Sequence, residues 1–408
     1  MFQVRHVSGA FAAMLLFVAH AEAATYYVST AGNDSNPGTQ QQPFRTIKKG
    51  VGALQPGDTV YIRSGTYTER LFEIDFGSGG TSWANPVTVA AYPGEAVILM
   101  PTQGMGGARF AYASPSYIHI DGLVLDGALA GGGEGASVFY CGPTSHDLHL
   151  SNVEIRNGDG NGVLCEGANH EFRDLKVHHN GLYAGYTNSN GMYMTTDNTV
   201  IIGGEFYDNE CYGVRFFDSD TSRSADNNTV TNARIYNNGF GIGLNGASQC
   251  GSGGGGIVLG DVNNVASNNL VYGNYWGFNS SSNASGLKLY NNTFYGNANG
   301  IWITNSSNAE VKNNIIYQNG TGITNEGMGT VLSNNFTGDP MFTDPSAFDL
   351  SLRPGSPAVD RGMTLSTVTT DIRGVARPQG GAYDIGAYEQ GGSTTSAPAA
   401  PTNVRIIR

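Results

Sequence analysis

The sequence is poor in charge and in the residues that build helices. Only 13% of its 408 residues are Asp, Glu, Lys or Arg, while 59 are glycine. Glycine costs roughly 1 kcal/mol in a helix interior, so long helices are excluded and short strands with tight turns are favoured. Long hydrophobic runs are also missing. The one apolar stretch, from Phe11 to Ala19, is too short to cross a bilayer, and nothing later is long enough. Positive charge is scarce: 21 Lys and Arg stand against 33 acidic residues, a net charge of −12. This argues against nucleic acid or an anionic membrane as partner. A polyanionic ligand would need a local Arg or a bound cation. Cysteine is rare, and the spacing of Cys141, Cys165, Cys211 and Cys250 fits no zinc motif.

What is present is a repeat. Short strands start at Ser137-Val138-Phe139, Gly162-Val163-Leu164, Gly191-Met192-Tyr193, Gly213-Val214-Arg215, Gly241-Ile242-Gly243, Gly277-Phe278-Asn279 and Gly300-Ile301-Trp302, with a weaker one at Gly322-Ile323-Thr324. The shortest steps are about 22 residues and longer ones are scattered among them, as in a stacked solenoid whose fixed unit carries loop insertions. A second register agrees. Asn180, Asn209, Asn238, Asn274, Asn297 and Asn319 each close a short strand, and His178, Tyr207, Tyr236, Tyr272, Tyr295 and Tyr317 precede them. Stacked coils turn these into an Asn ladder and an aromatic ladder, both structural. Asn tolerates left-handed backbone at a corner, and its amide can bond the amide of the adjoining coil.

Arg5 and His6, the apolar run and Ala21-Glu22-Ala23 read as a secretory signal peptide, residues 1–23. Export from a bacterial cell is expected, into a setting that permits disulfides. Cys165 falls on an inward strand position as core, or bridges to Cys141 on the adjacent coil. Residues 24–390 form one domain, with a cap region at 24–70 containing a short helix, and a closing segment at 339–390. The Gly/Ser/Thr/Pro/Ala-rich residues 391–408 read as a flexible tail.

The cap carries Tyr27-Val28-Ser29, Gly32-Asn33-Asp34-Ser35-Asn36-Pro37-Gly38-Thr39, Pro43-Phe44-Arg45-Thr46-Ile47, Pro56-Gly57-Asp58-Thr59-Val60 and Gly65-Thr66-Tyr67. The chain closes on Asp384-Ile385-Gly386-Ala387-Tyr388-Glu389. With the repeats, these segments resemble secreted right-handed parallel β-helix proteins of the pectate-lyase-like superfamily, most similarly the family 9 polysaccharide lyases and their uncharacterised relatives. The resemblance implies an all-β, right-handed parallel β-helix. It also implies an outward Lys as the base of family 9 enzymes, where this chain has Leu164, Tyr193 and Arg215. Their acidic calcium loop is echoed at residues 157–162.

In each Gly-φ-x-φ-x strand the apolar residues point inward, so the alternate residues point out. One outward row then reads Leu164, Tyr193, Arg215, Gly243, Asn279, Trp302 and Thr324. The other reads Glu166, Thr195, Phe217, Asn245, Ser281, Thr304 and Glu326. Coils lie about 4.8 Å apart, which puts Tyr193 beside Arg215 and gathers Asp197, Asp218 and Asp220 just past the strand ends. An Arg, three carboxylates and aromatic faces form one patch. Arg215 serves as base or carboxylate clamp, and Tyr193, Glu166, Phe217, Asn245 and Trp302 contact substrate. Asp197, Asp218 and Asp220 would hold Ca²⁺ through oxygen ligands. The leading reading is a polysaccharide lyase, or an epimerase sharing its proton abstraction, acting as a monomer on an acidic, uronate-containing polysaccharide. The alternatives are a non-catalytic glycan-binding or surface protein and, third, a glycoside hydrolase, for which Glu166 lacks an evident partner carboxylate.

Overall fold

The computed structural model describes residues 22–102, 107–110, 115–130, 137–181, 189–218, 223–240, 250, 253–281 and 283–391. The signal segment up to residue 21, the tail past Gly391, Asp220 and Asn245 lie outside the described residues. Short strands pair in parallel into three sheets of 12, 10 and 10 strands, which the chain visits in turn, once per coil. The protein is the expected right-handed parallel β-helix. Sheet A starts with Thr25–Val28, sheet B with Gly65–Tyr67 and sheet C with Leu71–Phe72. The core fills the axis. Val163, Cys165, Met192, Met194, Val214, Phe216, Ile301 and Ile303 of sheet C are fully buried. At the N-terminal end, helix α1 (Ile47–Gly52) lays Ile47 and Val51 over the first coil. The Asp34 carboxylate accepts from the Arg45 and Thr46 N–H groups and the Thr46 hydroxyl, which explains why the cap needs its Asn-Asp-Ser turn.

Two strand starts differ from the expectation. Phe139 pairs with Val163, so Val138 and not Ser137 aligns with Gly162; Phe139 turns inward and Tyr140 outward. The coil expected to begin at Gly241-Ile242-Gly243 instead uses Gly255–Leu259, with Ile257 between Val214 and Phe278. The glycine run 253–256 thus supplies the strand's start. The reason is a column of close backbone approaches. A Cβ added at Gly191 would sit 2.6 Å from the Gly213 carbonyl oxygen, and one at Gly277 2.8 Å from that of Gly300. Gly256 stands in that column, where its Cβ would lie 2.9 Å from the Gly277 oxygen.

Both ladders form. Along the corner between sheets B and C, the Nδ2–H of each Asn from 180 to 297 donates to the Oδ1 of the next at 2.8–3.1 Å. Asn269, Asn292, Asn314 and Asn335 repeat the pattern between sheets A and B. The left-handed residue is the one before each ladder Asn: φ is 54° at His179, 50° at Asp208 and 56° at Asn237. One residue turns the corner and the next bonds the neighbouring coil.

The aromatic ladder stands on the outward face of sheet B, with centroid separations of 4.7 Å for His178–Tyr207, 4.8 Å for Tyr207–Tyr236 and 5.1 Å for Tyr236–Tyr272. The closing segment covers its later rungs, setting Phe348 on Tyr272 and Phe342 on Tyr295. A buried ionic hub pins that segment. The Glu389 carboxylate accepts from Arg377 at 2.8 Å and from the Gln379 and Asp384 N–H groups. Arg377 also donates to Asn268, which belongs to the coils. The Asp-Ile-Gly-Ala-Tyr-Glu ending is therefore a fastening.

Ile301→Asp places an unpaired charge in the core and should unfold the protein, whereas Thr324→Asp, on an exposed outward position, should not. Equal tolerance in thermal melts would show the strand register to be wrong. Arg377→Met leaves Glu389 buried without its cation, at a cost of about 3–5 kcal/mol. Proteolysis should then open residues 339–391 before the coils; a variant with wild-type melting and cleavage would remove the hub's role.

Candidate functional site

The long connections of the molecule flank sheet C. Residues 127–138, 179–191 and 237–254 lead into it and residues 217–228 leave it, whereas the later coils enter it through the short links 273–275 and 296–298. Strand pairing stacks one outward row along this sheet: Phe72, Arg109, Tyr140, Leu164, Tyr193, Arg215, Val258, Asn279, Trp302 and Thr324. Two disulfides brace the region. Cys141–Cys165 joins inward positions of adjacent coils, and Cys211–Cys250 ties down the 237–254 connection.

Arg215 sits in an aromatic box. Its guanidinium carbon lies 4.8 Å from the Tyr193 ring centroid, 4.8 Å from that of Phe217 and 5.7 Å from that of Tyr212. The rings keep water off the guanidinium faces and leave its in-plane N–H fork as the polar surface. Its Nε is buried without a hydrogen-bond partner among the described residues, as are the Thr195 Oγ1 and Asn279 Oδ1 on the same face. Three unsatisfied polar atoms around one cation mark where a polar ligand would be completed.

Glu166 is almost fully buried, and its carboxylate pairs with Arg223, which reaches over from the 217–228 connection. The Tyr140 hydroxyl donates to its other oxygen at 3.5 Å. Asp197 accepts from the Ser224 hydroxyl at 2.7 Å and the Asp226 N–H at 2.8 Å. Asp218 accepts from the Arg223 N–H at 3.1 Å, and its own N–H donates to Asp261. Burial, with Asp226, Asp218 and Asp197 adding to it, pushes the Asp261 carboxyl above its ordinary range. Among the described residues no three carboxylates bring ligand atoms together. The one convergent triple is Cys141, Cys165 and His170, and it is not a metal centre. Both cysteines are in the disulfide. The His170 Nδ1 accepts from the Leu148 N–H and its Nε2 donates to the Glu166 carbonyl, while burial lowers the imidazole to a pKa of about 3.

The structure thus brings together Arg215, Tyr193 and Phe217 as expected. It gives Glu166 a partner, and it takes Trp302 three rungs away. The outward places assigned to Gly243 and Asn245 belong to Val258 and Gly260. Sequence reasoning missed Arg109 and Tyr140 in the row, Tyr212 in the box, Trp276, Arg223 and Asp261. Gly107-Ala108-Arg109 matched the strand pattern and was legible; Arg223 stands in a connection with no period to betray it.

Residues 26–325 match the family described as Pel9A-like, right handed beta helix region. An uncharacterised protein, YwoF, of Bacillus subtilis (strain 168) is 31% identical over 33% of this chain and 30% of its own length. Pectate lyase PEL9 of Emericella nidulans is 40% identical over 19% of this chain and 18% of its own, and pectate lyase L of Dickeya dadantii (strain 3937) is 25% identical over 67% and 65%. The chain therefore spans less than two thirds of the length of each of these relatives. The crystal structure of pectate lyase Pel9A superposes with a TM-score of 0.68 over 91% of this chain and 97% of that one, at 18% identity, which speaks for the fold alone. Since the family match covers well over half of it, the chain belongs to the Pel9A-like right-handed β-helix family of the pectate-lyase-like superfamily.

Proposed function

We propose that this protein is an exported lyase that cleaves an acidic polysaccharide by β-elimination at Arg215. The observation that carries the reading is the aromatic box: a guanidinium that makes no ion pair among the described residues, its Nε unsatisfied among them, presented on the outward row of sheet C. The names of relatives, pectate lyases among them, support a polysaccharide as ligand. The apolar run Phe11 to Ala19 followed by Ala21-Glu22-Ala23, and the two disulfides, support export.

Elimination passes the proton at C5 of a uronate to a base, with Arg215 holding the carboxylate, forms the C4–C5 double bond with that electron pair and breaks the C4–O bond to the leaving sugar. The leaving oxygen takes up a proton. The step is slow because the C5 carbanion is stabilised only if the adjacent carboxylate is neutralised. Arg215 supplies that neutralisation by a bidentate contact in a site where rings have displaced water. A guanidinium stays protonated in proteins, which favours the clamp over the base for this residue.

Arg215→Ala should abolish release of unsaturated uronate, followed by ultraviolet absorbance, while far-ultraviolet circular dichroism stays unchanged. Arg215→Lys keeps the charge but loses the fork, and is expected to lose most activity if Arg215 clamps. Substantial activity in Arg215→Lys would reassign it as the base. A second reading, glycan binding without cleavage, is favoured by Glu166 being tied up with Arg223. It prevails if the wild type cleaves no polyuronate yet binds glycans with or without Arg215.

Calcium is proposed at Asp197, Asp218 and Asp220. No three-carboxylate cage is preformed among the described residues, so the elimination above is derived without a metal. If these aspartates hold Ca²⁺, a hundredfold excess over the dissociation constant adds about 2.7 kcal/mol to folding. The melting temperature should rise in Ca²⁺ and the rise should vanish in the triple Asn variant. A melting curve indifferent to Ca²⁺ would dismiss the metal.

A further inference from the structure

The outward face of sheet C changes character along its length. Its N-terminal end carries charge of both signs: Lys48, Arg70 and Arg109 line a hollow of about 370 Å³ together with Glu69, Asp75 and Phe72, Lys48 being paired with Asp75, and Arg215 follows four rungs past Arg109. Beyond Arg215 the row runs Val258, Asn279, Trp302, Thr324, with no cation. There the Trp276 and Trp302 indoles stack at 5.2 Å and 26°, both half-buried. The Trp302 Nε1–H donates to Glu326 at 3.1 Å, which fixes the ring, and the next rung toward the C-terminus is the small, exposed Thr324. One face of Trp302 is thus covered by Trp276, and small Thr324 leaves room on the other. Asn279, one rung before Trp302, keeps its buried Oδ1 unsatisfied. Glu326 itself lines a hollow of about 800 Å³, where it is the one charged group beside Thr304, Asn305, Ser306, Ser307 and the apolar Met328.

We infer that Trp302, backed by Trp276 and rimmed by Glu326 and Asn279, is a subsite for an uncharged sugar, so that the ligand is a heteropolysaccharide. A pyranose presents an apolar C–H face to an aromatic ring and hydroxyl donors at its rim. Glu326 and Asn279 Oδ1 accept from such hydroxyls, whereas the Glu326 charge repels a uronate carboxylate. Arg215 and Trp302 are three rungs apart, about 14 Å at 4.8 Å per rung. A pyranose chain advances by about one rung per residue, so a neutral sugar falls about three residues from the uronate held at Arg215. The inference rests on the uronate reading for Arg215 and adds the chemistry and length of the chain that reading requires.

The test measures binding of the full protein to three hexasaccharide probes: homogalacturonan, an alternating galacturonate–rhamnose oligomer and a neutral galactan. Titration calorimetry reads wild type, Trp302→Ala, Glu326→Gln and Arg215→Ala. The alternating oligomer should bind best, Trp302→Ala should weaken it about tenfold, and Glu326→Gln should improve homogalacturonan relative to the alternating chain. Alternating-oligomer affinity unchanged in Trp302→Ala, or homogalacturonan binding tightest and indifferent to Glu326→Gln, overturns the inference while Arg215→Ala still impairs binding. Uronate binding that ignores Arg215→Ala overturns the underlying reading instead. Quenching of indole fluorescence by the neutral galactan in Trp83→Phe but not in Trp83→Phe/Trp302→Ala would uphold the subsite even then.

Discussion

The molecule depends on amides that have no water to turn to. Each ladder Asn from 180 to 297 is fully buried, and its partners are the adjoining coils and, for Asn180, Asn238 and Asn274, the carbonyl two residues earlier in its own coil. Its Oδ1 takes both a side-chain and a backbone N–H from the coil before it, as Asn209 does from Asn180 and Asn238 from Asn209. Its Nδ2 reaches back as well, to the carbonyl of Val177 for Asn209 and of Phe206 for Asn238. A buried donor left unmade costs about 1–3 kcal/mol, so one missing rung penalises the coils on both sides. This is what forces coils of differing length to close at the same corner. Extra residues must go outward, into connections, and in this chain the longest of these gather around sheet C.

The fold was legible because its constraints recur. Glycine columns, inward pairs and Asn corners each sample the same geometry many times, so a reading can err at one coil and survive. It did err at one coil. Asn238 is followed by Gly241 at the spacing that separates Asn274 from Gly277, and Gly241-Ile242-Gly243 imitates a strand start. The actual strand, Gly255–Leu259, follows an insertion that carries Cys250, and no period can announce an insertion. At Ser137 the error was a single residue, yet that slip exchanges faces and hid Tyr140 from the outward row. The site was legible only where it rides on strands. Arg215, Tyr193 and Phe217 follow from alternation, while Arg223 and Asp261 come from connections whose course depends on the very side chains they contact.

The aromatic box and the tryptophan platform use the same rungs in opposite electrostatic senses. Around Arg215, rings shield a cation; around Trp302, a carboxylate orients a ring. Both are built from outward positions that the core does not need, so their chemistry is free to vary without touching the ladders. The solenoid therefore separates what keeps the chain folded from what the chain recognises.

The hub at Arg377 and Glu389 follows the coils in the chain, although it fastens coils made much earlier through Asn268, Asn291 and Thr293. A chain emerges from its N-terminus, so coils can stack on the cap as they appear, each buttressed by the one before. The tyrosines of sheet B must wait for the segment after the coils, with Phe342 and Phe348, to cover them. During that interval the nascent molecule carries a stripe of stacked, uncovered rings down one side, a sticky surface of the kind that chaperones bind and that seeds aggregation. The closing segment, translated after the coils, thus sets the moment at which the growing protein ceases to be adhesive.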